Sequence, residues 1–391
     1  MYPARKFAVR LFAILSFLWL AACDVIPTVG LVGANNGPSI DVNAPVQVAL
    51  LVPGGTGTGS DQLLANNLEN AARLAVSDLN GVQVDLRVYN TGSDTEQAAR
   101  VATLAVDDGA QILLGPLFAE AANAAGVAVA SRNVNVLAFS NNPTIAGGNV
   151  FILGNTFSNT ANRLVNYANR KGLSRIAIVH GEDLGGQLGR DAISDAIRRN
   201  GAQLAGVASY PLSQQGIISS TSTIVNTVRQ GGADAVFMTA GVNADLPILA
   251  TTLPEAGLNP ASTTYIGLTR WNAAPQALAL PGLQNGLFAI PDAAPIANFE
   301  SRYAATYGST PHPLAGLAYD GIAAIGALVA SGNSGALTKQ ALTSSQGFQG
   351  TAGIFRLLPN GLNEKGLAVA TIRNGSVVVL ENAPRSFGGG S

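Results

Sequence analysis

A chain of 391 residues is long enough for two domains, and 47% apolar against 12% charged residues describes an ordinary core under a sparsely charged surface. Its net charge of −1, with no basic stripe, argues against a nucleic-acid partner, whose backbone demands clustered Lys and Arg. The two histidines, His180 and His312, lie far apart and Cys23 is the single cysteine, so the composition offers neither a Cys/His metal cluster nor an intrachain disulfide, and no cofactor is expected.

Residues 1–22 carry Arg5, Lys6 and Arg10, then an apolar run over 11–20, then small residues before a break. This order describes an export signal, not a spanning helix of the mature protein. Leu20-Ala21-Ala22-Cys23 resembles the bacterial lipoprotein processing box. That resemblance implies cleavage before Cys23 and its lipidation, hence a periplasmic domain held to a membrane by acyl chains. Asp24 fits the rule by which some bacteria retain lipoproteins in the inner membrane, so the choice of membrane stays open. Residues 23–43, rich in Pro, Gly, Asn and Val, are expected to form a tether.

The folded part is expected to begin at 44. Apolar runs at 46–52, 82–89, 111–114, 134–139 and 150–153 alternate with segments of helical spacing, a βαβ pattern that demands crossover helices and a parallel sheet covered on both faces. The first strand ends in Pro53-Gly54-Gly55-Thr56-Gly57-Thr58-Gly59-Ser60, which serves either as a plain turn or, around Thr56, as a set of N–H groups for an anion. Ser140, Asn141 and Asn142 follow the fourth strand, where they either hold a ligand's polar groups or form a turn and cap.

A second run of the same kind starts near 158, with strands expected at 175–179, 203–210, 235–238 and 264–267 and a polar, flexible segment at 180–186 before a helix over 190–200. Strand 287–290 returns toward the first unit, helices follow to about 331, and a third crossing is expected between 345 and 353. Asn374-Gly375 then turns a hairpin. The fold class is therefore α/β: two Rossmann-like lobes, each a parallel sheet flanked by helices, joined by three crossings. The first lobe takes 44–155 plus 291–345, the second 156–290 plus 346–382, and 383–391 form a flexible tail.

These pieces resemble the type I periplasmic binding proteins, particularly the receptors for leucine, isoleucine and valine. The resemblance lies in the strand, Gly-rich loop and helix over 46–79, Asp107-Asp108-Gly109 before the third strand, the Ser140 strand end, the 183–186 loop and Tyr319-Asp320-Gly321. Leu114-Gly115-Pro116-Leu117-Phe118, Leu137-Ala138-Phe139-Ser140-Asn141, the 149–154 stretch and Asn360-Gly361-Leu362-Asn363-Glu364-Lys365-Gly366 look closer still to a lipoprotein group, the penicillin-binding protein activators. The resemblance implies a solute-binding protein, not an enzyme, whose lobes close over an amino acid, amide or short peptide for an ABC permease. The alternative it carries is a lipoprotein that regulates a penicillin-binding protein through surface contacts.

By resemblance, the turn holding Phe118 meets the ligand's main-chain groups, and Tyr319 closes over it while Asp320 fixes a helix start. Second-lobe candidates are Glu182, Asp183, Asn243, Thr269, Arg270 and Trp271. Arg270 would meet a carboxylate and Trp271 would form an aromatic wall, unless they serve surface or interlobe structure.

Overall fold

The computed structural model describes residues 37–387. Cys23, the export signal and the first part of the tether lie outside them. The last part of the expected tether is built into the fold. Gly37 N–H donates to Asn133 Oδ1 at 3.1 Å, Asn133 Nδ2 donates back to Gly37 O at 2.7 Å, and the buried Ile40 donates its N–H to Ser334 O at 2.8 Å. The partners lie 96 residues or more away, so local composition could not announce them. The expected tail is likewise held in part, because Arg356 sits over the Phe387 ring at 4.7 Å.

The first sheet consists of β1 (Val46–Val52), β2 (Val84–Asn90), β3 (Ile112–Leu114), β4 (Asn135–Ala138) and β5 (Val150–Ile152), all parallel in the order β2-β1-β3-β4-β5. Between them run α1 (Gly59–Asp78), α2 (Thr95–Asp107) and α3 (Ala119–Val129). Strand side chains alternate between faces, and here both faces are covered. Val48, Leu50 and Val52 pack with Leu68, Ala71, Ala72 and Ala75 of α1. Ala49, Leu51 and Leu113 pack with Ala102 and Ala105 of α2 and Ala122 and Ala125 of α3. The alanines bring these helices close to the sheet, which explains an apolar core with few large side chains.

The second sheet repeats the plan. α4 (Phe157–Arg170), β6 (Arg175–Gly181), α5 (Leu184–Arg199), β7 (Gln203–Tyr210), α6 (Gln214–Gln230), β8 (Ala235–Met238), α7 (Leu246–Glu255), β9 (Thr264–Gly267) and β10 (Leu287–Ile290) follow in order. Ala177 and Val179 face α6 and α7, whereas Ile176 and Ile178 face α4 and α5. Helix α5 begins earlier than expected, because the Asp183 carboxylate accepts from Gly185 N–H at 3.1 Å and Gly186 N–H at 3.2 Å. Two glycines in the first turn look like flexibility in sequence. Gly186 is instead a close approach, since a Cβ there would stand 2.1 Å from Gly181 O.

From β10 the chain returns to the first sheet through α8 (Ala293–Tyr307), α9 (Gly316–Val329) and α10 (Lys339–Leu342). Phe299, Tyr303, Ala318, Ile322 and Ile325 join the first core. Three short strands, β11 (Phe348–Gly350), β12 (Gly353–Leu357) and β13 (Asn363–Lys365), then form an antiparallel sheet of their own. The expectation that 346–382 belongs wholly to the second lobe is corrected here. Phe348 and Phe355, with ring centroids 5.5 Å apart, and Leu357 are buried in the first core, and only after Lys365 does the chain pass to β14 (Ala368–Arg373) and β15 (Ser376–Glu381). The third passage thus falls around Gly366. β14 pairs antiparallel with both β10 and β15, and the turn at Asn374 (φ 51°) and Gly375 (φ 71°) has the two positive φ values of a tight hairpin.

Candidate functional site

The parallel strands of both sheets point their C-terminal ends at one cleft, where the chain's crossings also lie. A cavity of about 620 Å³ occupies it, and a second hollow of about 470 Å³ shares Asn155, Thr160 and Arg270 with the first. From the first lobe come Leu117 and Phe118 after β3, Phe139 to Asn142 after β4, and Leu317 and Asp320 on the first turns of α9. Thr160, Arg270 and Ala289 come from the second-sheet side. Asn155, Pro291 and Lys365 come from the segments between. Most of the wall is apolar, with a few polar groups that converge, the usual make-up of a small-molecule site.

Helix ends sharpen this picture. Helices α2, α5, α6 and α8 have side-chain N-caps in Asp94, Asp183, Ser213 and Asp292. Helices α1 and α7 begin at Thr58 and Asp245 with no side-chain cap, and so, at Phe118, Thr156 and Ala315, do α3, α4 and α9, whose first turns reach the cavity. The leading N–H groups of these last three carry the positive end of the helix dipole toward the cleft.

Three ionisable side chains line the two hollows among the described residues: Arg270, Asp320 and Lys365. Asp320 is only 3% exposed and accepts from Thr351 N–H at 2.6 Å. Burial pushes its carboxyl above the ordinary carboxylate range, against the pull of the Lys365 charge and of the Thr351 hydrogen bond. Lys365 is half-buried beside the Phe355 ring; burial pushes its ammonium below the ordinary lysine value, and the Asp320 charge opposes that shift. Arg270 is exposed at the junction of the two hollows.

Of the residues singled out from sequence, Phe118, Ser140, Asn141, Asn142 and Arg270 line the larger cavity, and Asn243, Thr269 and Arg270 line the smaller. The turn reading also applies to the strand end, since Ser140 Oγ accepts from Asn142 N–H at 3.1 Å and Asn142 Oδ1 from Thr144 N–H at 3.0 Å. Thr56 lies outside both hollows and bonds to Thr58 within its loop, Oγ1 to Oγ1 at 2.8 Å. Glu182 accepts from Ser209 Oγ at 3.0 Å, and Asp183 is spent as the cap of α5. Neither lines either hollow.

Trp271 and Tyr319 are corrections. Trp271 is 0% exposed in the second core, tilted against Phe288 at 5.5 Å, because Gly267 and Gly286 leave room for its indole. Tyr319 donates to Asp78 Oδ2 at 2.6 Å and stands edge-on to Phe299, so it serves the contact of α9 with α1 and α8. Asp320, read as a helix-start residue, is the one that faces the cavity. Adjacent helical residues lie about 100° apart, so Tyr319 and Asp320 cannot share a face. Lys365 was missed because a charged residue in a polar turn carries no local sign of where its strand lies.

A model of the periplasmic binding protein family matches residues 45–376. The chain belongs to that family. Periplasmic binding proteins are extracytoplasmic ligand-binding components of transporters. Among solved structures, the chain is similar to a Rhodospirillum rubrum protein assigned to a branched-chain amino acid ABC transporter (19% identity, 86% of this chain and 100% of that one covered, TM-score 0.70). It is also similar to an ABC transporter substrate-binding protein from Desulfitobacterium hafniense in complex with Leu (16%, 86% and 100%, 0.59). A third is a solute-binding protein of an ABC transporter from R. palustris in complex with benzoate (16%, 88% and 97%, 0.53). Identities this low speak for the fold alone. No curated protein sequence matches the chain. No helix among the described residues is long and apolar enough to cross a membrane, and none of their His, Cys, Asp and Glu side chains gather as a metal site.

Proposed function

We propose that this periplasmic binding protein is the lipid-anchored solute receptor of an ABC-type uptake system, and that it takes a small carboxylate-bearing solute, an amino acid or an aromatic acid, into the cleft. One observation carries the reading: the helices that open on the cavity lack side-chain caps, and Arg270 stands among them, so the protein leaves an anion site at the place where both lobes contribute walls. The leucine and benzoate complexes of similarly folded proteins support this class of solute. The mechanism is binding and lobe closure about the segments at 153–156, 291–292 and 366–367, followed by presentation to a permease. Lipidation at Cys23 would keep the receptor at the membrane where that permease works.

A thermal-shift panel of amino acids, aromatic acids, amides, short peptides and sugars on the full-length chain tests the reading. A ligand at a hundred times its Kd adds about 2.7 kcal/mol, which a melt resolves. Leu317→Trp, which fills the cavity, should abolish the shift. A chain that no solute stabilises, yet that captures a penicillin-binding protein, would replace this reading with the regulator.

A further inference from the structure

We infer that the cleft selects carboxylates that carry no ammonium group, and that Arg270 is the residue that decides between an acid and its α-amino counterpart. This rests on the receptor reading and narrows its solute class.

Arg270, Asp320 and Lys365 are the ionisable groups that line the two hollows among the described residues, so the walls carry one more positive than negative charge. The single carboxylate is already engaged. Asp320 accepts from Thr351 N–H, faces the Lys365 charge, and is packed so tightly that a Cβ on Gly350 would stand 2.9 Å from its carboxyl atoms. Lys365 stands over the Phe355 ring at 5.7 Å with no side-chain hydrogen bond or ion pair among the described residues, so it adds a second cation to the walls. Arg270 also has no side-chain hydrogen bond or ion pair among the described residues, and unlike Lys365 it is exposed at the place shared by both hollows.

A ligand that neutralises this arrangement brings one negative charge and no positive one. The ammonium of a zwitterion would meet two cations, while the one carboxylate is buried and held by Thr351 N–H, in walls of low dielectric where such repulsion is strong. The rest of the cavity, with Leu117, Phe118, Phe139, Leu314, Leu317 and Phe355, suits an apolar body of aromatic or branched aliphatic shape. Uncapped helix ends add further positive potential and no acceptor.

Calorimetric titration of the full-length chain with matched pairs tests this: 3-phenylpropanoate against L-phenylalanine, 4-methylpentanoate against L-leucine, and 3-phenylpropanamide as the uncharged analogue. Each acid should bind at least tenfold more tightly than its amino acid. R270Q should weaken the acids at least tenfold and leave the amide unchanged; the exposed, unpaired side chain makes a folding defect an implausible cause, and an unchanged melt confirms that. Equal or tighter binding of the amino acids, an R270Q variant that keeps the preference, or no binding by any of the five overturns the inference. If the thermal-shift panel still finds another solute, the receptor reading stands without it; if it finds none, both fall.

Discussion

Asn159 donates through Nδ2 to Oδ1 of Asn363 at 2.7 Å, and Asn363 Nδ2 in turn donates to Ile152 O and Gly154 O, both at 2.8 Å. This buried amide bridge binds the start of α4, strand β13 and the end of β5 at the point where the chain passes between the sheets. Removing it strands two carbonyls and one amide away from water. Asn363→Ala should lower stability by roughly 3 kcal/mol in urea unfolding, and Asn363→Asp should not rescue it, because a carboxylate cannot donate to the two carbonyls.

Asp78 gives a pH dependence. Burial pushes its carboxyl up, but hydrogen bonds from Arg302 and Tyr319 together with the Arg302 charge outweigh that, so it sits below its ordinary 3.8. A carboxyl depressed in the folded state stabilises the fold above its unfolded value and loses that contribution as the pH falls through the folded value. Asp78→Asn should therefore be less stable than wild type by about 1 kcal/mol at pH 7, given its partial exposure, and the gap should close as unfolding is measured progressively below about pH 4. Tyr319→Phe should share part of this loss and leave solute affinity unchanged. A changed affinity would return Tyr319 to the cleft.

Trp271 is a core residue, and its variants should behave so. Trp271→Ala should cost roughly 3–5 kcal/mol, whereas Trp271→Phe, which keeps the ring contact with Phe288 and loses an indole N–H that has no partner, should cost about 1 kcal/mol. Both losses should appear in denaturation midpoints. A Phe variant that melts normally but no longer binds solute would contradict the placement.

Gly154 sets the rim of the cavity. A Cβ there would stand 2.4 Å from Ser140 O and 2.8 Å from Asn141 N, both backbone atoms that cannot swing aside. Gly154→Ala should destabilise by about 1–3 kcal/mol and weaken solute binding, because the strain displaces the Ser140 edge. Gly59→Ala, where nothing lies within 4 Å, should change neither, which a parallel melt and titration will show.

The repeated βαβ order and the polar strand ends were legible because they rest on local patterns: apolar runs, helical spacing, and small or polar residues where a strand stops. Ser140, Asn141 and Asn142, singled out in this way, line the larger cavity. What escaped depended on facing. Tyr319 and Asp320 exchanged roles because one turn of α9 looks both into the first core and into the cleft. Phe348 and Phe355 look like edge-strand residues of the second sheet until they are seen filling the first core. Lys365 reaches the cavity only because β13 comes just before the last passage between sheets. Asp183 looked like a ligand group because a helix cap and a binding site ask for the same carboxylate.

The most direct test of the central claim is what the chain itself carries. Full-length protein, purified without added solutes, should be weighed by native mass spectrometry and its released small molecules identified after denaturation. The expected finding is a stoichiometric small organic acid, lost in the Leu317→Trp variant. A wild-type chain that is empty, and that remains empty after incubation with amino acids, aromatic acids and their amides, would contradict it.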